Sequence, residues 1–79
     1  MSEPDLIYSV HCQPVSKHGR TVRLEIYSTG QNDWILEVVD EYGNSTVWDD
    51  PFETDDGAYQ EFERTLEEEG IEALIGEPS

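Results

Sequence analysis

The sequence predicts an α+β fold: a four-stranded antiparallel β-meander followed by one C-terminal α-helix packed on one sheet face, in the order ββββα. Three observations carry that prediction. Apolar and polar residues alternate through the first half of the chain, the period of half-buried strands. The period changes at Asp49-Asp50-Pro51, beyond which Ala58, Phe62 and Leu66 recur every four residues, the spacing of a helix with one apolar stripe. The segments between strands are short, so consecutive strands are expected to be antiparallel neighbours.

The first strand is read over Leu6 to Gln13, with Leu6, Tyr8, Val10 and Cys12 on one side and Ile7, Ser9 and His11 on the other. Pro14 has no N–H to give to a ladder, so the strand is expected to stop there, with a loop over Ser16 to Gly19. Thr21 to Ser28 is the second strand: Val22, Leu24 and Ile26 share a face, and Arg23, Glu25 and Tyr27 share the opposite one. Thr29 to Asp33 is turn chemistry. Trp34 to Val39 is the third strand, and Glu41-Tyr42-Gly43-Asn44 is a hairpin turn with Gly supplying a positive φ. Ser45 to Trp48 is a short fourth strand. A two-residue turn there pairs Val38 with Val47; a bulged three-residue turn turns Trp48 toward the core, near the helix start.

Thr54 or Asp55 is expected to cap the helix, and Asp55 and Asp56 put negative charge where the macrodipole favours it. Gly70 fits the position just past the helix end, with Leu66 and Ile71 as the apolar pair of a Schellman motif. Ile71, Leu74 and Ile75 suit one further turn against the core. The predicted core is Tyr8, Val10, Val22, Leu24, Ile26, Leu36 and Val38, covered by Ala58, Phe62, Leu66 and Leu74, with Phe62 at the centre. Residues 1–79 read as a single small acidic domain, with 1–4 and 76–79 as flexible ends.

Charge bounds the function. The chain of 79 residues carries 19 acids against 4 Lys plus Arg, a formal charge of −15. From Asp49 onward there are 12 acids and one base, Arg64, a net of −11. Such a field repels nucleic acid and anionic lipid and attracts basic proteins. Direct nucleic-acid binding is therefore not expected, and the partner is expected to be a protein, with basic character favoured. Cys12 is the only cysteine, so no internal disulfide can form, and a small secreted domain usually has several. With no signal-like segment and no apolar stretch of about 20 residues, the expected setting is the cytoplasm, as a monomer or weak homodimer.

No enzyme motif occurs. A P-loop, GxGxxG and GxSxG are all absent from the sequence. His11, Cys12 and His18 are the soft metal ligands, one short of a structural zinc set, and the Asp50-Pro51-Phe52 segment fails the EF-hand spacing. No catalytic residue, cofactor or dedicated metal site is expected. The candidates are contact surfaces. One helix covers one sheet face, so the other should meet water, and it carries Ile7, Tyr27, Ile35 and Val39 among Arg23, Glu25 and Glu37. An apolar patch with a charged rim suits a partner or a second copy. The other candidate is an outward helix stripe of Glu61, Glu68 and Glu72. Evenly spaced carboxylates can imitate phosphates and occupy the groove of a DNA- or RNA-binding protein. The leading expectation is a non-enzymatic protein–protein interaction module, and the alternative is such a nucleic-acid mimic.

Overall fold

The computed structural model describes residues 6–31 and 33–76. One antiparallel sheet holds β1 (Ile7–Tyr8), β2 (Gln13–Lys17), β3 (Arg20–Ser28), β4 (Ile35–Val39) and β5 (Ser45–Val47), followed by α1 (Asp55–Glu68) and a 3-10 turn at Ile71–Leu74. β3 lies at the centre. β1 and β2 pair in tandem along one of its edges, β4 pairs along the other, and β5 pairs with β4. The meander-plus-helix order is the one expected, with the first strand in two pieces.

That division corrects the sequence reading. Tyr8 pairs with Tyr27 and Gln13 with Leu24, so four residues of the edge oppose only two of β3, a wide bulge. Within it Ser9 N donates to Ile26 O (2.9 Å), and Ile26 N meets Cys12 Sγ (3.2 Å). Val10 is thrown out to 92% exposure. Pro14 does not end the strand; it sits inside β2 opposite Arg23. Ile26 turns its N–H and C=O toward the β1–β2 edge, and bonding alternates along a strand. Residues of β2 opposite odd-numbered β3 partners therefore point their N–H positions away from the sheet. Pro14 is one of them, so no ladder bond is lost.

The loop expected over Ser16 to Gly19 is instead a two-residue hairpin turn. His18 (φ 55°) and Gly19 (φ 78°) are both left-handed, as a type I′ turn requires. Lys17 then pairs with Arg20 and Val15 with Val22. This register sends Pro14 and Ser16, and beyond the bulge Tyr8, to the sheet's back, while Cys12 inside the bulge turns to the core. Tyr8 and Val10, expected in the core, are accordingly exposed.

The core is otherwise as the alternation predicts. Val22, Leu24 and Ile26 of β3 and Leu36 and Val38 of β4 meet Ala58 and Phe62 of α1, then Ile71 and Leu74. Phe62 is 1% exposed. Leu66 is only half-buried, and Thr65 takes the buried place beside it by donating to Glu61 O. Thr54 caps α1 by accepting from Gly57 N at 3.0 Å. The far end closes through Gly70 (φ 83°), whose N–H meets Leu66 O at 3.1 Å. With ψ 160° Gly70 lies outside the αL region, in backbone space that is essentially glycine's alone, so the expected Schellman motif is not formed.

At the β4–β5 hairpin, Val39 pairs with Ser45 and Glu37 with Val47. Trp48 therefore falls on the helix side, and its indole N–H donates to Glu61 (3.3 Å). The loop is built on Asp40, only 6% exposed, which accepts from the amides of Tyr42 and Asn44, the Asn44 side chain, and Gly76 N at 2.6 Å. Gly76, expected in a loose end, is thus tied to the sheet. The remaining positions expected to be flexible, 1–4 and 77–79, lie outside the described residues.

Candidate interaction surface

The back of the sheet is assembled from the polar phase of β3 and β4. Tyr27 stands opposite Ile35, Glu25 opposite Glu37 and Arg23 opposite Val39. Val47 of β5 joins beside Glu37. On the other flank Tyr8 stands beside Tyr27, their rings 5.9 Å apart and tilted by 50°. Leu6, Tyr8, Glu25, Tyr27, Glu37 and Val39 line one shallow depression of about 310 Å³. Ile35 and Val47 line a second, of about 340 Å³, with Asp33, Trp48, Asp49 and Pro51. Leu6, Tyr8 and Val47 are 43%, 58% and 48% exposed, while Tyr27, Ile35 and Val39 are half-buried by their neighbours.

Of the expected back-face residues, Tyr27, Ile35 and Val39 come together. Ile7 does not. It pairs with Ser28, which is buried on the helix side, so the inverted phase of the first segment carries Ile7 to the opposite face. The sequence reading missed Leu6, Tyr8 and Val47. The His18-Gly19 turn fixes the parity of β2; Leu6 and Tyr8 keep that parity because the bulge adds an even number of residues, and Val47 is placed by the β4–β5 register.

The electrostatics of this face turn on Glu25 and Glu37, two carboxylates directly opposed across neighbouring strands. Like charges in that arrangement are destabilising. Each has one local relief: Arg23 Nε bonds Glu25 at 2.7 Å, and Tyr27 Oη donates to Glu37 at 2.9 Å. Burial, and then the bond to Glu37, push the Tyr27 phenol up to about 12.

The acidic helix is less available than its composition implies. Arg64 bonds both Glu61 and Glu68. Glu61 is tucked against Trp48 rather than pointing outward, and the Arg64 bond, helped by the indole, holds its carboxyl below the ordinary range against the effect of burial. Glu72 is not on this stripe. It lies beyond the Gly70 stop on the 3-10 turn, lining a depression with Arg20, Tyr42, Ile75 and Gly76.

The bulge makes a third cluster. Ser9 Oγ donates to Asp55 (2.8 Å), His11 Nε2 bonds Asp56 (2.8 Å), and the His11 ring stacks on Tyr59 at 4.3 Å. The metal-binding atoms of His11, Asp55 and Asp56 lie within 4.8 Å of one another. Among these, Asp55 and Asp56 are already satisfied by Ser9 and His11, and the arrangement fastens the start of α1 to the sheet edge. His11 and Cys12, read from sequence as facing opposite sides, both turn inward here: Cys12 packs against the core and His11 onto α1.

Among the described residues no helix is long and apolar enough to cross a membrane. The chain matches no protein-family model, no curated protein and no solved structure.

Proposed function

We propose that this chain is a non-enzymatic protein-binding domain whose sheet back face receives a partner surface of apolar side chains around one Lys or Arg. The observation that carries this reading is the opposed pair Glu25 and Glu37 within an apolar strip. The pair costs the free domain stability. A cation set between the two carboxylates turns that cost into binding energy, in a contact partly shielded from water where charge-assisted bonds are strong. Tyr8, Tyr27, Ile35, Val39 and Val47 supply the area around it, and aromatic residues are enriched in such contacts. The overall charge of −15 raises the encounter rate with basic proteins. The expected setting is the cytoplasm.

The test is affinity capture from source lysate, eluted stepwise with salt, repeated with Ile35→Lys and with Glu63→Gln/Glu67→Gln. Ile35→Lys should stay folded, because it adds charge to a face that no element among the described residues covers, and should lose the captured protein. Capture that survives Ile35→Lys but disappears with the helix double variant would refute the back-face reading in favour of a contact on α1. Unfolding of Ile35→Lys would make the back face part of the core.

A further inference from the structure

A second surface is independent of the back face. Between the free edge of β2 and the flank of α1 runs a groove of about 370 Å³, lined by Val15, Tyr59, Phe62 and Leu66 with Glu63 and Glu67 on its helix side. Its strand side has backbone groups to offer. Among the described residues β2 pairs only with β3. Ser16, opposite Thr21, belongs to the phase whose N–H and C=O point away from β3, and Thr21 N turns instead toward Glu41 on the far side. Pro14 lies in the same phase and offers only its C=O. The edge thus presents one donor and two acceptors beside an apolar trough.

We propose that this groove binds an extended, basic segment of another protein by strand addition to β2. Such addition takes its affinity from main-chain bonds and its specificity from the pockets met by alternate side chains. The side chain entering on the helix face beside Val15 is apolar, packed between Val15 and Leu66 over the edge of Phe62. Side chains two positions away lie on the same face and meet Glu63 and Glu67. Among the described residues neither of these carboxylates has an ion pair, because Arg64 is committed to Glu61 and Glu68. The ligand pattern is therefore Lys or Arg, any residue, an apolar residue, any residue, Lys or Arg. Lys17 also lines the groove and is its single cation, against two carboxylates. A second copy of this chain does not suit the edge, since each copy brings a charge of −15 and its own Glu63 and Glu67 to the junction.

The probe is acetyl-Thr-Lys-Thr-Val-Thr-Arg-Thr-amide, titrated into isotopically labelled protein and followed by amide chemical shifts. The expected result is saturable movement at Val15, Ser16, Lys17 and Leu66, weakened by added NaCl. Ser16→Pro removes the outward donor and keeps the β2–β3 main-chain bonds, losing only the hydroxyl contact of Ser16 with Thr21, and it should weaken binding about tenfold. Glu63→Gln/Glu67→Gln should do the same and flatten the salt dependence. Ile35→Lys should bind like the wild type. If Ser16→Pro fails to fold, N-methylation of the peptide's central amides removes the ligand donors that the Pro14 and Ser16 carbonyls would accept from, and should weaken binding to the unaltered protein at least about tenfold. Absence of shifts at millimolar peptide, shifts centred on Tyr27 and Ile35, or binding indifferent to both the main-chain and the carboxylate changes would overturn the proposal. So would a concentration-dependent dimer that buries Ser16 before any peptide is added.

Discussion

The two faces of β3 come from one stretch of nine residues, yet they are held to different standards. On the helix side Val22, Leu24, Ile26 and Ser28 are at most 1% exposed and mutually packed. On the back, Arg23, Glu25 and Tyr27 are joined by charged and polar bonds, and two carboxylates oppose each other across the strands. One face is closed by apolar packing; the other is held by polar bonds around a like-charge pair. A chain this small buries only about 60% of its unfolded surface, so the helix face has little to spare. That contrast is what the proposed back-face contact rests on.

The contrast is broken most severely at Phe62. Phe62→Ala removes the ring that fills the helix–sheet contact and should cost about 3–5 kcal/mol in urea melts. That is a large part of the about 5–15 kcal/mol of a typical domain. A loss under about 1 kcal/mol would mean the ring is not central. Gly76→Ala should be milder, roughly 1 kcal/mol. A Cβ there would meet Asn44 Nδ2 at 2.7 Å, and yielding disturbs the side-chain bond to Asp40. Thermal melts equal to wild type would show that the C-terminal tie to Asp40 is dispensable.

Acid sharpens the comparison from the other side. Charge alone suggests that mild acid relieves repulsion. The shifted carboxylates act in the opposite sense. Hydrogen bonds from Thr29 and then Ser28, opposed by burial, hold Asp33 down to about 2. Burial pushes the Asp40 carboxyl up, but the Gly76 amide, Asn44 and Tyr42 outweigh it and leave it below the ordinary range. A lowered folded pKa means that the unfolded chain takes up protons first, so stability is lost as the pH is lowered. For Asp33 this contribution is intact above about pH 4 and is lost toward pH 2. Asp33→Asn should flatten that limb of a pH-dependent melt series; an unchanged limb would assign it to other carboxylates.

Much of the fold was legible because Thr21 to Val39 alternates cleanly, and because Thr54 and Gly70 bracket a run of period 3.6. The first segment was not. Its apolar residues sit at even positions, but Ser9 is turned inward by Asp55 and Val15 by the His18-Gly19 turn, so the apolar phase is the exposed one. Local alternation cannot reveal that, since the phase is set by a turn downstream and by a carboxylate 46 residues away. Asp40 was hidden for a related reason: its partners in the chain, Asn44 and Gly76, are adjacent only once the hairpin and the helix are in place. The back-face site was half legible. Tyr27, Ile35 and Val39 follow from period 2, whereas the opposition of Glu25 to Glu37 needs the register.

The most direct measurement pairs stability with binding in Glu37→Gln. The amide keeps an oxygen to accept from Tyr27 while removing the charge opposed to Glu25. The free domain should be unchanged or stabilised by about 0.2–1 kcal/mol. The Tyr27 phenol, freed of a neighbouring negative charge, should titrate below about 12 in tyrosinate absorbance, and the partner retained by the wild type should be lost. A clear loss of stability in Glu37→Gln, with the partner still bound, would contradict the account, because the carboxylate pair would then serve the fold and not the contact.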